Sequence, residues 1–224
     1  MKLVILGANG RTGRQLLRVA LERGTDVTAV VRSANKAPAI RDERLSVIVG
    51  DPCDPAFLKH VLLGQDVVIS ALGGRRPTKA ATSVYYRSAD AIVQAASDTS
   101  VKRVLVTSTA LLFREQTLMG KLLRFLVPNV VRSASRMEDT LKSSGLDWTC
   151  ARPGFLTDAD TVTYRATKDA PAKDGTSVSR RALAEFLVDA IQDPDAQGAT
   201  FAVSDRPAQS RAGLVDGRAK LRAS

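Results

Sequence analysis

The sequence predicts an α/β fold in which helices cover both faces of a parallel sheet. Short, continuously apolar runs rich in valine and leucine recur along the chain, and stretches with helical spacing separate them. Continuous rather than alternating apolar runs are typical of strands buried on both faces, and helices are the usual connection between parallel strands. Three glycines directly after the first run indicate a tight turn from strand into helix.

Six apolar runs are the predicted strands of this sheet. They cover residues 3–6, 26–31, 45–49, 66–71, 103–107 and 146–152. Helices are predicted after the first, third, fourth and fifth runs, the last of them over residues 132–144, because apolar residues recur there three and four positions apart. Asp54 as N-cap and Pro55 at the first helical position mark one helix start. The polar stretch 32–44 holds at most a short helix.

The pattern changes beyond residue 152. A polar, β-prone stretch over 161–167 predicts a short strand, Ser179 caps a further helix, and residues 199–204 form a last strand. No stretch rich in glycine or proline divides the chain. We therefore predict one domain over residues 1–204, which includes a small C-terminal lobe at about 153–204, and a basic C-terminal tail at 205–224.

Composition narrows the functional class. The net charge of +10 comes from 33 basic and 23 acidic residues, but the basic residues are scattered and no run of five occurs. With no zinc-finger spacing and no aromatic RNA-binding motif, this pattern argues against nucleic acid, and a polyanionic nucleotide accounts for part of the excess.

The sequence also bears on location and on metals. No apolar run reaches membrane length and no signal peptide is recognisable, so we predict no membrane association. Two distant cysteines, Cys53 and Cys150, favour a reduced cytoplasmic protein, and no spacing predicts a metal site. The oligomeric state stays open.

The glycines Gly7, Gly10 and Gly13 have the spacing and context of a dinucleotide-binding loop. The first permits the tight turn, the second lets backbone approach a pyrophosphate, and the third allows the helix to pack close to the sheet. The helix N-terminus then offers free N–H groups and a positive dipole end to the phosphates. The remaining loop residues predicted to bind the cofactor are Asn9, Arg11 and Thr12.

Ligands of open parallel sheets bind at the carboxyl ends of the strands. Arg32 and Ser33 follow the second strand, where an NAD-dependent enzyme usually carries an acidic residue. Arg32 can instead pair with a 2′-phosphate, which favours NADP over NAD. Asp51 follows the third strand, where it can accept a hydrogen bond from the adenine amino group or serve only as a turn residue.

The residues after the fourth strand are candidates for both cofactor and substrate. Leu72 and Gly73 are predicted to contact the cofactor, since a glycine here lets backbone approach the ribose and pyrophosphate. Arg75 would stand at the mouth of the site, either facing an acidic substrate or simply solvated.

The fifth and sixth strands are expected to border the reacting end of the cofactor. Thr107 is a predicted cofactor contact, and the Ser108 hydroxyl can reach a substrate carbonyl or the nicotinamide, which makes Ser108 the candidate catalytic residue. Pro153 would contact the nicotinamide end of the cofactor. Phe155 and Leu156 would form an apolar wall for the substrate.

Together these motifs resemble the atypical short-chain dehydrogenase/reductases, and most of all their NAD(P)H-binding, NmrA-like branch, which includes biliverdin-IXβ/flavin reductase. The resemblance covers roughly residues 1–204 and implies a Rossmann-type, doubly wound parallel sheet. It also implies that Arg32 and Thr12 hold the 2′-phosphate and that Ser108 lies at the reacting centre. The stretches that carry it are Gly7-Ala8-Asn9-Gly10-Arg11-Thr12-Gly13, Val31-Arg32, Gly50-Asp51, Thr107-Ser108 and Arg152-Pro153-Gly154.

One departure from that family concerns the Tyr-x-x-x-Lys pair, which transfers a proton in typical members. Ala134 and Glu138 occupy the two positions here. A Tyr-x-x-x-Lys at Tyr164–Lys168 lies in a β-prone segment, where the two side chains do not share a helical face, and we interpret it as a chance match.

These features predict an NADPH-dependent oxidoreductase that transfers hydride to a small conjugated acceptor: a flavin, quinone, tetrapyrrole-like or carbonyl compound. A non-catalytic NADP-binding regulator of the NmrA-like kind is the alternative, and a nucleotide-dependent isomerase or epimerase is a weaker one. The apolar segment 119–131 either forms a lid over the site or packs in the core.

Overall fold

The computed structural model describes residues 1–74, 76–114, 118–172 and 175–205. The strands are β1 (Lys2–Leu6), β2 (Asp26–Val31), β3 (Leu45–Val49), β4 (Val67–Ser70), β5 (Arg103–Thr107), β6 (Asp147–Pro153), β7 (Phe155–Thr157), β8 (Tyr164–Lys168), β9 (Ser177–Ser179) and β10 (Ala199–Asp205). The helices are α1 (Arg11–Glu22), α2 (Pro55–Leu62), α3 (Lys79–Thr82), α4 (Val84–Ala96), α5 (Leu118–Leu126), α6 (Pro128–Lys142) and α7 (Arg180–Asp189). Arg75 and residues 206–224 of the predicted tail lie outside the described residues.

Eight strands form one central sheet in the order β3-β2-β1-β4-β5-β6-β10-β8. Every neighbouring pair in it is parallel except β10 and β8, which pair antiparallel. The chain runs outward in one direction from β1 to β3 and in the other from β4 onward, so the strand order reverses between β1 and β4. The predicted doubly wound parallel sheet is therefore confirmed, and its switch point lies at β1 and β4.

Helices cover both faces of this sheet, as the continuous apolar runs predict. On one face α1 packs against α7, and their buried side chains include Leu17 and Leu183. On the other face α2, α4 and α6 pack side by side, and Ile92 and Leu141 are buried there. Strand residues such as Ile5 are buried between the two layers. Two cores therefore fix the sheet from both sides.

The edge strand β3 is less buried than its apolar sequence predicts. The connection from β2 to β3 holds only a 3-10 turn over Ala34–Lys36, as predicted for this polar stretch, and no helix. Val47 and Val49 consequently remain largely exposed on one face of the strand. An apolar run alone does not distinguish this strand from the central ones.

The segment after β6 divides between two sheets. β8 and β10 extend the main sheet, whereas β7 and β9 pair as a separate two-stranded parallel sheet. The strand predicted over 161–167 begins later, at Tyr164. Ser179 caps α7 as predicted, because its hydroxyl accepts a hydrogen bond from the Ala182 amide at 2.9 Å.

Of the two interpretations of segment 119–131, core packing is wrong for most of its apolar residues, which lie exposed on helix α5. Met119 is 60% exposed and Phe125 is 81% exposed. Helix α6 also begins four residues before the predicted start, at Pro128. Across the described residues, every helix is too short or too polar to cross a lipid bilayer.

Candidate functional site

The turn after β1 depends on glycine. Gly7 has φ +81°, a backbone conformation that side chains other than glycine rarely adopt. The amide of Gly10 donates to the carbonyl of Gly7 at 2.9 Å, which closes the turn. A Cβ at Gly7 would also lie 3.1 Å from the backbone of Ala71, just beyond β4. The loops after β1 and β4 therefore meet at the switch point of the sheet.

The same loop forms an open cradle at the N-terminus of α1. A Cβ on Gly13 would collide with the Gly7 carbonyl, and one on Gly10 would lie 3.1 Å from it. Gly10 is the N-cap of α1 and supplies no side-chain hydrogen bond to the first-turn amides. These amides and the helix dipole are therefore available to an anion. The cradle fits the pyrophosphate of a dinucleotide.

The polar side chains of the loop have partners within the chain. Asn9 Oδ1 accepts a hydrogen bond from Arg14 Nη2 at 2.8 Å. Arg11 forms an ion pair with Asp158, which in turn accepts from Arg180 at 2.7 Å. Arg11 thus links the loop to the segment after β7. Thr12 lies half-buried in the first turn of α1.

The ends of β2 and β3 place the candidates for the adenosine half of a nucleotide. Arg32 is exposed directly after β2, and the Ser33 hydroxyl donates to Asn35 Oδ1 at 2.6 Å. The first acidic residue after β2 is Asp42, which the guanidinium of Arg44 binds at 3.0 Å. The described residues that directly follow β2, from Arg32 to Arg41, therefore carry no carboxylate, the group that an NAD-type ribose contact usually uses.

Asp51 serves as a turn residue, the second of the two roles predicted for it. Its Oδ1 accepts a hydrogen bond from the Cys53 amide at 2.9 Å, in the turn that precedes α2. The side chain is nonetheless exposed and can accept a further hydrogen bond. Gly50 before it packs closely against Phe57, since a Cβ there would collide with the ring unless the ring moved.

After β4, the glycine stretch lies against Tyr85, a residue that sequence reasoning missed. A Cβ on Gly73 would lie 3.3 Å from the Tyr85 hydroxyl, and Leu72 packs against the core beneath α4. Burial raises the pKa of Tyr85, although a hydrogen bond from the Gly74 backbone opposes the shift. In the sequence, Tyr85 is recognisable only as a partly buried residue of the helix α4, and nothing there indicates its contact with the glycine stretch.

The ends of β5 and β6 are joined through a buried carboxylate. Ser108 Oγ lies 2.6 Å from Glu138 Oε1, and Glu138 is 1% exposed. Arg152 binds the same carboxylate through both Nε at 2.9 Å and Nη2 at 2.6 Å. Lys142 Nζ adds a longer contact at 3.4 Å. Glu138 therefore belongs to a Ser108–Glu138–Arg152 cluster.

The charge state of this cluster follows from its hydrogen bonds. Burial alone would raise the pKa of Glu138, but the hydrogen bonds from Arg152 and Ser108 outweigh it and hold the pKa below its ordinary value. The guanidinium of Arg152 also stacks over the Phe113 ring, 4.7 Å from its centroid. Glu138 is therefore an ionised carboxylate at neutral pH, and Arg152 is fixed on two sides.

The other candidates at this edge directly precede Ser108 or follow Arg152 in the sequence. Thr107 donates a long hydrogen bond of 3.4 Å to the Ser70 carbonyl, and Pro153 is buried at the end of β6. Phe155 is 57% exposed, and Leu156 beside it is also exposed. The apolar wall predicted for a substrate is thus open to solvent.

The Tyr164–Lys168 pair lies two strands away from β6 in the sheet. Both residues belong to β8, the edge strand farthest from β3 in the sheet. The Tyr164 hydroxyl donates to Asp189 Oδ2 at 2.7 Å, and Lys168 Nζ donates to the Asp195 carbonyl at 2.8 Å. The two side chains thus have separate structural partners.

Comparison with known proteins agrees with this geometry. A family model described as NAD(P)H-binding matches residues 7–194. The chain is 23% identical to the uncharacterised protein YwnB of Bacillus subtilis, across 91% of this chain and 98% of that protein. It is 30% identical to the photosystem II assembly factor Ycf39 of Cyanophora paradoxa, but across only 66% of this chain and 44% of the longer relative.

Solved structures share the fold at lower identity. The anaerobilin reductase ChuY of Escherichia coli O157:H7 superposes with a TM-score of 0.75 at 21% identity, covering 95% of this chain and all (100%) of the other. A short-chain dehydrogenase/reductase of Veillonella parvula, determined with NADP, gives 0.76 at 20% identity, covering 92% of this chain and 95% of that one. The glycine cradle at the switch point and the family match lead to one conclusion: the chain belongs to the NAD(P)H-binding family and has its Rossmann-type fold.

Proposed function

We propose that this chain is an NADPH-dependent oxidoreductase that transfers hydride to a small conjugated acceptor. The observation that carries the proposal is the uncapped glycine cradle at the switch point, with exposed Arg32 directly after the neighbouring strand β2 and no carboxylate between Arg32 and Asp42. The family match supports nucleotide binding, and the reductase named among the structural neighbours supports a reductive role.

The proposed roles divide the site into two ends. The amides of Arg11, Thr12 and Gly13 hold the pyrophosphate, and Gly7, Gly10 and Asn9 shape the loop. Arg32 with Thr12 and Ser33 binds the 2′-phosphate. The other proposed cofactor contacts are Asp51, Leu72, Gly73, Thr107 and Pro153. The bound cofactor supplies the hydride, and the chain contributes binding and orientation.

The acceptor end is proposed to lie between Ser108 and the exposed apolar pair Phe155 and Leu156. A flat, conjugated molecule can pack against this pair, while Ser108 provides one polar contact. We also infer a reducing compartment such as the cytoplasm, since both cysteines of the described chain are free.

The proposal is tested by following NADPH oxidation with a panel of flavins, quinones, tetrapyrroles and carbonyl compounds. We expect turnover of at least one conjugated acceptor at a rate well above the buffer control. Tight NADPH binding without turnover of any acceptor would contradict the enzymatic role and would favour a nucleotide-sensing regulator, which the fold equally accommodates.

The Arg32→Ala substitution is expected to weaken NADPH binding by about 10- to 100-fold, the loss for hydrogen bonds to a charged group. NADH affinity should stay nearly unchanged, because NADH lacks the 2′-phosphate. Both affinities can be measured by fluorescence titration, with Arg41→Ala, at another exposed arginine of the same connection, as the control. Equal losses for both nucleotides would remove Arg32 from the 2′-phosphate site.

A further inference from the structure

The Ser108–Glu138–Arg152 cluster fixes the direction of the Ser108 hydrogen bond. An ionised carboxylate has only acceptor atoms, so in the 2.6 Å contact the Ser108 hydroxyl is the donor and Glu138 the acceptor. The two hydrogen bonds from Arg152 keep the carboxylate ionised in a buried position. The single hydroxyl proton of Ser108 is therefore directed at Glu138.

A serine oxygen whose proton is engaged has only lone pairs left for a ligand. Building on the proposed function, we propose that Ser108 accepts a hydrogen bond from an N–H group of the bound redox ligand. In this arrangement Ser108 is not the proton donor to a carbonyl. Glu138 acts through Ser108 as a positioning residue, and Arg152 holds Glu138 in place.

This polarity separates the classes of ligand. The imide edge of a flavin, the lactam edge of a linear tetrapyrrole and the carboxamide of the nicotinamide ring all present an N–H. A quinone presents only carbonyl oxygens, whose lone pairs would face those of Ser108. Because a buried polar group left unpaired is costly, the site should select ligands that carry the N–H group.

The alternative direction, with Ser108 donating to the ligand, would require a different partner for Glu138. The carboxylate would lose one of its short hydrogen bonds while remaining 1% exposed. Loss of a hydrogen bond to a buried charge is among the costlier changes in a protein interior. The geometry therefore favours Ser108 as acceptor in the loaded site as well.

Matched ligand pairs test the proposal on the full-length protein. Lumiflavin is compared with its derivative methylated at the imide nitrogen, and NADP with its acetylpyridine analogue, in which a methyl group replaces the amide NH2. The dissociation constant of each is measured by fluorescence or calorimetry, the flavins in the presence of NADP. We expect the wild-type protein to prefer the N–H member of one pair by about tenfold or more, equivalent to one hydrogen bond.

Ser108→Ala should abolish that preference by weakening only the N–H ligand, while the methylated ligand binds as before. Ser133→Ala is the matched control, since both serines are 8% exposed and donate through their hydroxyls, Ser133 to Thr82 at 3.2 Å. This control should lose less stability, because its hydrogen bond joins two neutral groups, and it should keep the wild-type preference. The pair that responds identifies whether the acceptor or the cofactor supplies the N–H.

Several outcomes would overturn the inference. They are equal binding of both members of each pair by the wild-type protein, absence of binding by either pair, and a Ser108→Ala variant that weakens both members alike. Selective binding of the N–H ligand without turnover of any acceptor would instead contradict the proposed enzymatic function and would leave the inferred direction of the hydrogen bond intact.

Discussion

Replacing Gly13 with alanine is expected to abolish nucleotide binding and to lower the free energy of unfolding by about 3 kcal/mol. The new Cβ would collide with the Gly7 carbonyl and would lie 2.8 Å from the Ala8 Cα. Both are backbone atoms, so no side-chain rotation relieves the contact, and α1 must move away from β1. Urea denaturation and NADPH titration measure the two losses.

Gly64→Ala is the control for this substitution. Gly64 has φ +69° with no atom within 4 Å of the added Cβ, so it isolates the cost of backbone conformation. We expect a loss of about 1 kcal/mol in stability and unchanged nucleotide affinity. If Gly13→Ala behaved like Gly64→Ala in both measurements, the close approach of α1 to β1 would not be needed for nucleotide binding.

Arg152→Met should destabilise the protein by about 3–5 kcal/mol at neutral pH, because it leaves the buried Glu138 carboxylate without its two-point partner. Among charged groups, only Arg152 and Lys142 contact this carboxylate in the described residues, and Lys142 lies at 3.4 Å with much of its side chain in water. Lys59→Met, which breaks an exposed pair with Asp98 at 2.7 Å, should cost far less stability.

The stability difference between Arg152→Met and wild type should depend on pH with a definite sign. In the wild type the pKa of Glu138 is lowered, so its stabilising contribution is present above the ordinary value of 4.5 and is lost as pH falls through the folded-state pKa. In the variant, burial raises that pKa, so acid relieves the buried charge. Urea denaturation should therefore show the difference narrowing toward acid pH, and a difference that widened there would contradict the pairing.

The sequence predicts the parts of this molecule that depend on local pattern. Gly7, Gly10 and Gly13 lie close together between an apolar strand and a helix, so a short local pattern is enough to predict the glycine cradle. By contrast, β7 and β9 are three-residue strands that pair Phe155 with Ser177 across a long connection. Their pairing depends on tertiary contacts, and nothing in their local composition distinguishes them from loops.

The candidate site divides in the same way. Ser108 is predictable because it directly follows an apolar strand, but its partner Glu138 lies 30 residues away, on a helix. The sequence marks Glu138 only as a departure from the family's proton-transfer pair, and no pattern connects it with Arg152 on β6. Helix α5 shows the opposite case. Its apolar residues have the pattern of core residues, and only the structure shows that most of them are exposed.

The position of β10 has a consequence for how the chain folds. β10 is the last strand that the structure describes, yet it lies between β6 and β8 inside the sheet. Helix α7, which packs on α1, also comes late in the sequence. During synthesis the first two-thirds of the chain can build β1 to β6 while β6 remains an open edge and the outer face of α1 remains bare. Chaperone demand should therefore fall only once β10 has emerged from the ribosome.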